Sequence, residues 1–181
     1  MKAKGTVLVG FVKTIKADKS GVYDKYLTAE DKTIISQKIL PNIWYPYETF
    51  RRCFNAVFEV IAKKDLEQVR NWGKLYGQAI MSDLYKGVLK KDDPIGYLKN
   101  SQVFIRNFFD FGRVEVVVEG ENQILLKLID FDPQFAPVHY MIRGWMERTA
   151  ELCGAKDLKV EFVTKGWEGD PHSSIRLSWS Q

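Results

Sequence analysis

Apolar residues return along this chain with two different periods, and the change from one to the other divides it. From Tyr47 onward Phe50, Phe54, Val57, Phe58 and Ile61 recur at helical spacing and define one broad apolar face. A central helix is predicted there, closed by Lys63 and Lys64. Asp65 with Gln68 offers a cap for a second helix, whose stripe runs Val69, Trp72, Tyr76, Ala79, Ile80 and Leu84. Gly73 and Gly77 lie one turn apart within it. Each glycine costs a helix interior roughly 1 kcal/mol, so the pair suggests a close backbone approach, ordinarily by another helix, otherwise by a ligand.

The front of the chain is less uniform. Thr6, Val7, Val9 and Val12 suit a strand, whereas Leu8, Phe11, Val12 and Ile15 share one helical face, and the helix is the expectation. GVYDKYL and TAEDKTIISQ read as two short helices, the second opened by Thr28 with Asp31 three places on, a capping-box start. ILPNIWYPYETF then interrupts regular structure at Pro41 and Pro46.

Further on, Asp93 and Pro94 start a helix carrying Ile95, Leu98, Ile105, Phe108 and Phe109. After Gly112 the period becomes two. RVEVVVEG and NQILLKLID flank a turn from Glu119 to Asn122 and predict an antiparallel hairpin. A helix follows with Val138, Ile142, Trp145, Thr149 and Leu152 inward and Gly154 as its stop. DLKVEFVTKG and SSIRLSW form a second hairpin, with Val160 and Phe162 on one face and Ile175, Leu177 and Trp179 likewise aligned. Between these strands lies GDPHSS, read as a tight turn made by Gly169, Asp170 and Pro171. Strand and helix do not alternate as in a βαβ chain, so the fold class is α+β: N-terminal helices packed on an antiparallel sheet, with a hairpin-helix-hairpin C-terminal half. One domain over 1–181 is expected, mainly helical over 1–110 and hairpin-helix-hairpin over 111–181.

Composition narrows the function classes. The 27 Lys and Arg against 23 Asp and Glu are scattered, which argues against nucleic acid as a partner. Lys13 and Lys16 interrupt the only early apolar patch, so neither a signal peptide nor a membrane span is expected, and a cytoplasmic protein is. Cys53 and Cys153 each fall inside a helical pattern and read as core residues rather than as a disulfide or metal pair.

Catalytic chemistry is thin. His139 starts a helix and His172 occupies a turn, and neither has a sequence neighbour completing a nucleophile, base and orienter. Asp92 with Asp93, and Asp130 with Asp132, read as solvated cap and loop carboxylates. No phosphate-binding loop, dinucleotide fingerprint or nucleophile elbow is present. Aromatic carbon is abundant instead, 13% of residues, concentrated at IWYPYETF, VFIRNFFDF and HYMIRGW.

Taken in order, these segments resemble known families. VEFVTKGWEGDPHSSIRLSW resembles the end of the four-vinyl-reductase type of small-molecule-binding domain, where a GDPxC-like turn joins the last two strands. KGTVLVGF and LPNIWYPYETF are similar to a bacterial family described mainly from myxobacteria, with a WYP motif. YLKNSQVFIRNFF, the Val114 to Ile129 hairpin and APVHYMIRGWMERTAELCGA resemble haem-NO/oxygen-binding domains. These belong to one superfamily that also includes subunits of the TRAPP vesicle-tethering complex.

The resemblance implies a ligand-binding fold, and the departures from it remove two cofactors. The haem-binding relatives take their proximal histidine from the helix before the first hairpin, and YLKNSQVFIRNFF has none. Their YxSxR motif is missing from ENQILLKLIDFDPQ. Where the vinyl-reductase type has cysteines near its last strands, Thr164 and Ser173 or Ser174 stand here, and hydroxyls do not replace thiolates at zinc. No cofactor and no metal are therefore expected. The leading expectation is a non-enzymatic sensory or regulatory domain binding a small apolar molecule, with Trp44, Tyr76, Phe104, Phe108, Tyr140 and Trp145 as cavity walls. The alternative is a ligand-free interaction module acting as a homodimer, and an enzyme using His139 comes third.

Overall fold

A computed structural model of the chain describes residues 1–83 and 93–180. Its packing gathers into two units, Met1–Asp65 with Arg106–Phe111, and Leu66–Ile105 with Gly112–Gln181.

In the first unit a short strand β1 (Lys2–Lys4) pairs antiparallel with β2 (Trp44–Pro46), so the WYP stretch is a strand rather than a plain interruption. Between them lie α1 (Gly5–Ala17) and α2 (Ala29–Ser36). The helical reading of the first segment holds, because Val7, Leu8, Val12 and Ile15 are buried along one face. Gly5 is needed at its start: a Cβ there would overlap the Leu40 carbonyl. GVYDKYL is only a single 3-10 turn at Asp24–Tyr26, too short to bury an apolar face of its own. The α2 capping box is present in full, with the Thr28 and Asp31 side chains each holding the other's backbone N–H.

The central helix α3 (Tyr47–Val60) buries Phe50, Cys53, Phe54, Val57 and Phe58. Asp31, fully enclosed, accepts hydrogen bonds from Arg52 of α3 at 2.6 and 3.0 Å. Burial alone would raise the Asp31 carboxyl; Arg52, Thr28 and Thr49 outweigh it and hold it below the usual carboxylate range. The Arg106–Phe111 stretch joins this unit through Phe109, 5.6 Å from Phe50, and through Asp110, whose carboxylate takes the Lys2 N–H at 2.5 Å.

The second unit begins with α4 (Leu66–Asp83) and continues through α5 (Pro94–Lys99), the part of α6 (Ser101–Phe108) up to Ile105, β3 (Arg113–Gly120), β4 (Gln123–Ile129), α7 (Ala136–Leu152), β5 (Lys156–Thr164) and β6 (Ser173–Ser180). The predicted helix after Asp93 is thus two helices, broken at Asn100, while Asp93 caps the first by accepting the Gly96 N–H at 2.8 Å. The Leu84 end of the α4 stripe and Asp92 lie outside the described residues.

The four strands form one antiparallel sheet in the order β3-β4-β6-β5. Ile124, Leu126 and Leu128 of β4 stand opposite Leu177, Ile175 and Ser173 of β6, and all six are buried. Alternation of this kind gives a sheet with one apolar face. The fold class is α+β, as the element order implied.

The glycine pair of α4 meets another helix. A Cβ on Gly73 would overlap the Met141 carbonyl oxygen of α7, and one on Gly77 would lie 2.6 Å from the Trp145 ring. Gly144 of α7 is confined in turn by the Arg70 carbonyl. No helix among the described residues is long and apolar enough to cross a membrane.

Candidate ligand-binding site

The six aromatic positions picked from the sequence fall into separate neighbourhoods. Phe104 of α6 and Trp145 of α7 are buried and meet edge to face at 5.9 Å, with Tyr97 stacked on Phe104 at 5.2 Å. Tyr140 lies about one and a half turns earlier on α7 and so projects elsewhere. It belongs to a second cluster, 5.0 Å from Phe162 and 5.7 Å from Trp167, with the Arg143 guanidinium 5.4 Å from the Phe162 centroid. Tyr76 is half-buried on α4. In the first unit Phe108 is buried, whereas Trp44 is exposed on β2, with Lys4 Nζ 5.2 Å from its ring centroid.

The first unit also has an aromatic core that the sequence reading did not assign to a site. Phe11 stacks on Phe54 at 4.5 Å, and Phe50 and Phe109 continue the run. Phe50 and Phe54 were visible as a helix face; their partners Phe11 and Phe109 come from distant stretches that periodicity does not bring together.

His139 is packed as a core residue, 1% exposed, with its ring 5.1 Å from Trp167 and 6.2 Å from Phe131. Its Nε2 stands 3.0 Å from the Asp132 carbonyl oxygen. A carbonyl can only accept, so Nε2 carries the proton and Nδ1, which is buried, has no partner among the described residues. Burial holds this imidazole below its ordinary value, against the opposing pull of Asp132. An apolar-packed ring tied to a backbone carbonyl, away from any carboxylate oxygen in hydrogen-bond reach, is not the geometry of a general base. The thiols are equally inert: burial pushes Cys53 up to about 12 and Cys153 up to about 11.

The GDPHSS connection is longer than a two-residue turn. A 3-10 turn at Gly166–Glu168 precedes it and leads into Gly169, whose φ of 106° requires a glycine. The Asp170 carboxylate takes the Lys165 N–H at 2.7 Å. Thr164 Oγ1 and Ser174 Oγ are 2.7 Å apart, and Ser173 Oγ accepts the Gly166 N–H at 2.9 Å. Among the described residues, no three His, Cys, Asp or Glu side chains are grouped to hold a metal ion.

A groove of about 370 Å³ opens elsewhere in the second unit. Pro94 and Ile95 at the start of α5, Gly154 after α7 and Trp179 of β6 supply its apolar wall, while Asp93, Glu121 and Lys156 supply charge. None of the six aromatic positions lines it. Its residues were invisible as a group in the sequence, because a helix start, a hairpin turn and two strand ends meet there only through the sheet order β3-β4-β6-β5.

Comparison with solved structures places the architecture. The chain has the fold of H-NOX domains. An oxygen-binding H-NOX domain related to soluble guanylate cyclases is 18% identical, with 98% of this chain and 95% of that chain covered and a TM-score of 0.66. An H-NOX protein of K. algicida in its unliganded Fe(II) form is 15% identical, with coverage of 98% and 97% and a TM-score of 0.69. An H-NOX of T. Tengcongensis is 17% identical, covered at 98% on both sides, with a TM-score of 0.67. No family model matches the sequence, and no curated protein does.

Haem does not fit the residues that α5 and α6 offer. Their buried side chains are Tyr97, Leu98, Ser101, Phe104, Ile105 and Phe108, with the Ser101 hydroxyl already donated to the Leu98 carbonyl at 2.5 Å and the Tyr97 hydroxyl 3.4 Å from Met81 Sδ. The chain's two histidines are on α7 and in the β5–β6 connection. α5 and α6 therefore present carbon and committed hydroxyls, and no imidazole.

Proposed function

We propose that this chain is a cytoplasmic, non-enzymatic sensory or regulatory domain that keeps the H-NOX fold without haem. Residues 1–181 act as one ligand-binding domain, taking a small apolar molecule against aromatic side chains drawn from Trp44, Tyr76, Phe104, Phe108, Tyr140 and Trp145, and passing its occupancy to a protein partner. The observation that carries this reading is an H-NOX architecture over nearly the whole chain in which α5 and α6 contain no histidine. Finer kinship, with the four-vinyl-reductase type at the GDPHSS connection and with the bacterial family that has the WYP motif, belongs to the same reading.

The test is to express the protein in cells supplied with a haem precursor, then to record its visible spectrum and native mass. A flat Soret region together with a bound non-haem molecule supports the proposal; stoichiometric haem overturns it.

A second reading, a ligand-free module acting as a homodimer, draws on β3. Among the described residues this strand pairs only with β4, and it exposes Val117 and Val118. Light scattering behind size exclusion separates the two: a strict monomer at high concentration removes the dimer.

A further inference from the structure

The groove beside Trp179 contains opposite charges that do not satisfy one another. Lys156 and Glu121 both line it, and neither side chain makes a hydrogen bond or ion pair with another described residue. Their positions explain why. Lys156 opens β5 opposite Ser180, and Glu121 sits in the turn leading into β4. β6 runs between β4 and β5, so the two backbones are held two strand spacings apart, about 10 Å. That arrangement is fixed at the groove by the Trp179 N–H, which donates to the Asn122 carbonyl at 3.1 Å.

The same lining includes apolar surface from Pro94, Ile95 and the half-buried Trp179 ring. Asp93 adds a second carboxylate, so among the described residues the lining has one cation against two anions. The volume, about 370 Å³, falls at the small end of ligand pockets. What such a surface complements is a molecule with a carboxylate at one end, an ammonium at the other and an apolar body between them.

We propose that this groove binds a zwitterion of amino-acid or short-peptide size with apolar side chains, its carboxylate toward Lys156 and its ammonium toward Glu121 and Asp93. The site goes beyond the haem-free reading above and stands whether or not that reading survives, since none of the six aromatic positions takes part in it. The strand spacing favours a dipeptide, whose charged ends are several ångströms apart, over a single amino acid, whose ends share one carbon.

Titration of the whole protein with leucyl-leucine and with leucine, followed by NMR at the Trp179 indole and the Asn122 amide, tests this. The dipeptide is expected to shift both signals with saturation, and leucine to do so more weakly. Leucyl-leucinamide, lacking the carboxylate, and N-acetyl-leucyl-leucine, lacking the ammonium, are each expected to bind about fivefold more weakly, the size of one solvent-exposed ion pair. Lys156→Met should weaken leucyl-leucine by the same factor and leave leucyl-leucinamide unchanged; Glu121→Gln should weaken leucyl-leucine and leave the acetylated dipeptide unchanged. Both side chains are exposed, so neither variant threatens the fold. Absence of any shift at Trp179 and Asn122, equal binding of the capped dipeptides, or variants that bind like the parent would overturn the site.

Discussion

Glu147 of α7 grips Arg70 of α4 through both carboxylate oxygens, with Nε to Oε2 at 2.7 Å and Nη2 to Oε1 at 2.5 Å. Lys74 adds a third contact to Glu147 at 3.0 Å and reaches Glu151 at 2.8 Å. Burial alone would raise the Glu147 carboxyl; the hydrogen bonds from Arg70 and Lys74 outweigh it and hold it below its ordinary value. The pair is bidentate and mostly shielded from water, the arrangement in which removing one partner is costly because the other is left buried and unpaired.

Glu147→Ala should therefore destabilise the protein by about 3 kcal/mol, and Glu147→Gln by less, since the amide still accepts one hydrogen bond. Urea unfolding checks this; a loss under about 1 kcal/mol for the alanine variant would show the pair to be no more than a surface bridge.

The same helix pair supplies a sharper test, because propensity and packing oppose each other. In an isolated helix Gly73→Ala or Gly144→Ala would stabilise by roughly 1 kcal/mol. Here each added methyl meets a backbone carbonyl, Met141 for Gly73 and Arg70 for Gly144, which no side-chain rotation can relieve. Both variants should lose at least about 2 kcal/mol, the scale of overpacking a tight contact. Gly10 has nothing within 4 Å of the corresponding position, so Gly10→Ala is the control and should gain stability. A stabilised Gly73→Ala would mean that the two helices are not in contact as described.

How these features relate to the sequence follows from their range. The helix caps at Thr28 and Asp93 and the period-two strands are local, set by residues within four positions of one another, and were legible. The Gly73 and Gly77 pair was legible as a close approach because two glycines one turn apart put their cost on a single face of the helix, which a neighbour packed on that face explains. What approached them was not, since Met141 and Trp145 lie far along the chain. How the aromatic positions group was not legible for a related reason: ring size marks residues that bury area, but Tyr140 and Trp145 share a helix and still join different clusters. The groove residues Glu121, Lys156 and Trp179 carried no local signal at all.

The hydroxyl pair at the end of β5 and β6 predicts coupling. Thr164 Oγ1 lies 2.7 Å from Ser174 Oγ and donates to the His172 carbonyl at 2.9 Å, tying the connection to the sheet. Thr164→Val and Ser174→Ala should each cost about 1 kcal/mol. The double variant should cost less than their sum, because the second change removes a group already left unpaired. Strict additivity in chemical denaturation would deny the bond.

Acid sensitivity should arrive in two stages. His139 is neutral in its apolar niche, and burial sets its value in the folded protein below 6.5, the ordinary value it regains on unfolding. Below pH 6.5 the unfolded chain takes up a proton that the folded chain refuses, so stability is complete above that pH and declines as pH falls from there toward the folded-state value. Asp132, through its carbonyl and its charge, favours the imidazolium, and burial outweighs it. Asp31 and Glu147 act later: their lowered carboxyls contribute stability that is present above about pH 4.5 and is lost as pH falls through their folded values. Thermal melts between pH 8 and pH 3 should thus show a first decline beginning near pH 6.5 and a second in the carboxylate range. His139→Phe fills the same niche with a ring that cannot titrate, and should abolish the first decline while leaving the second. A first decline that survives in this variant would place the titrating group elsewhere.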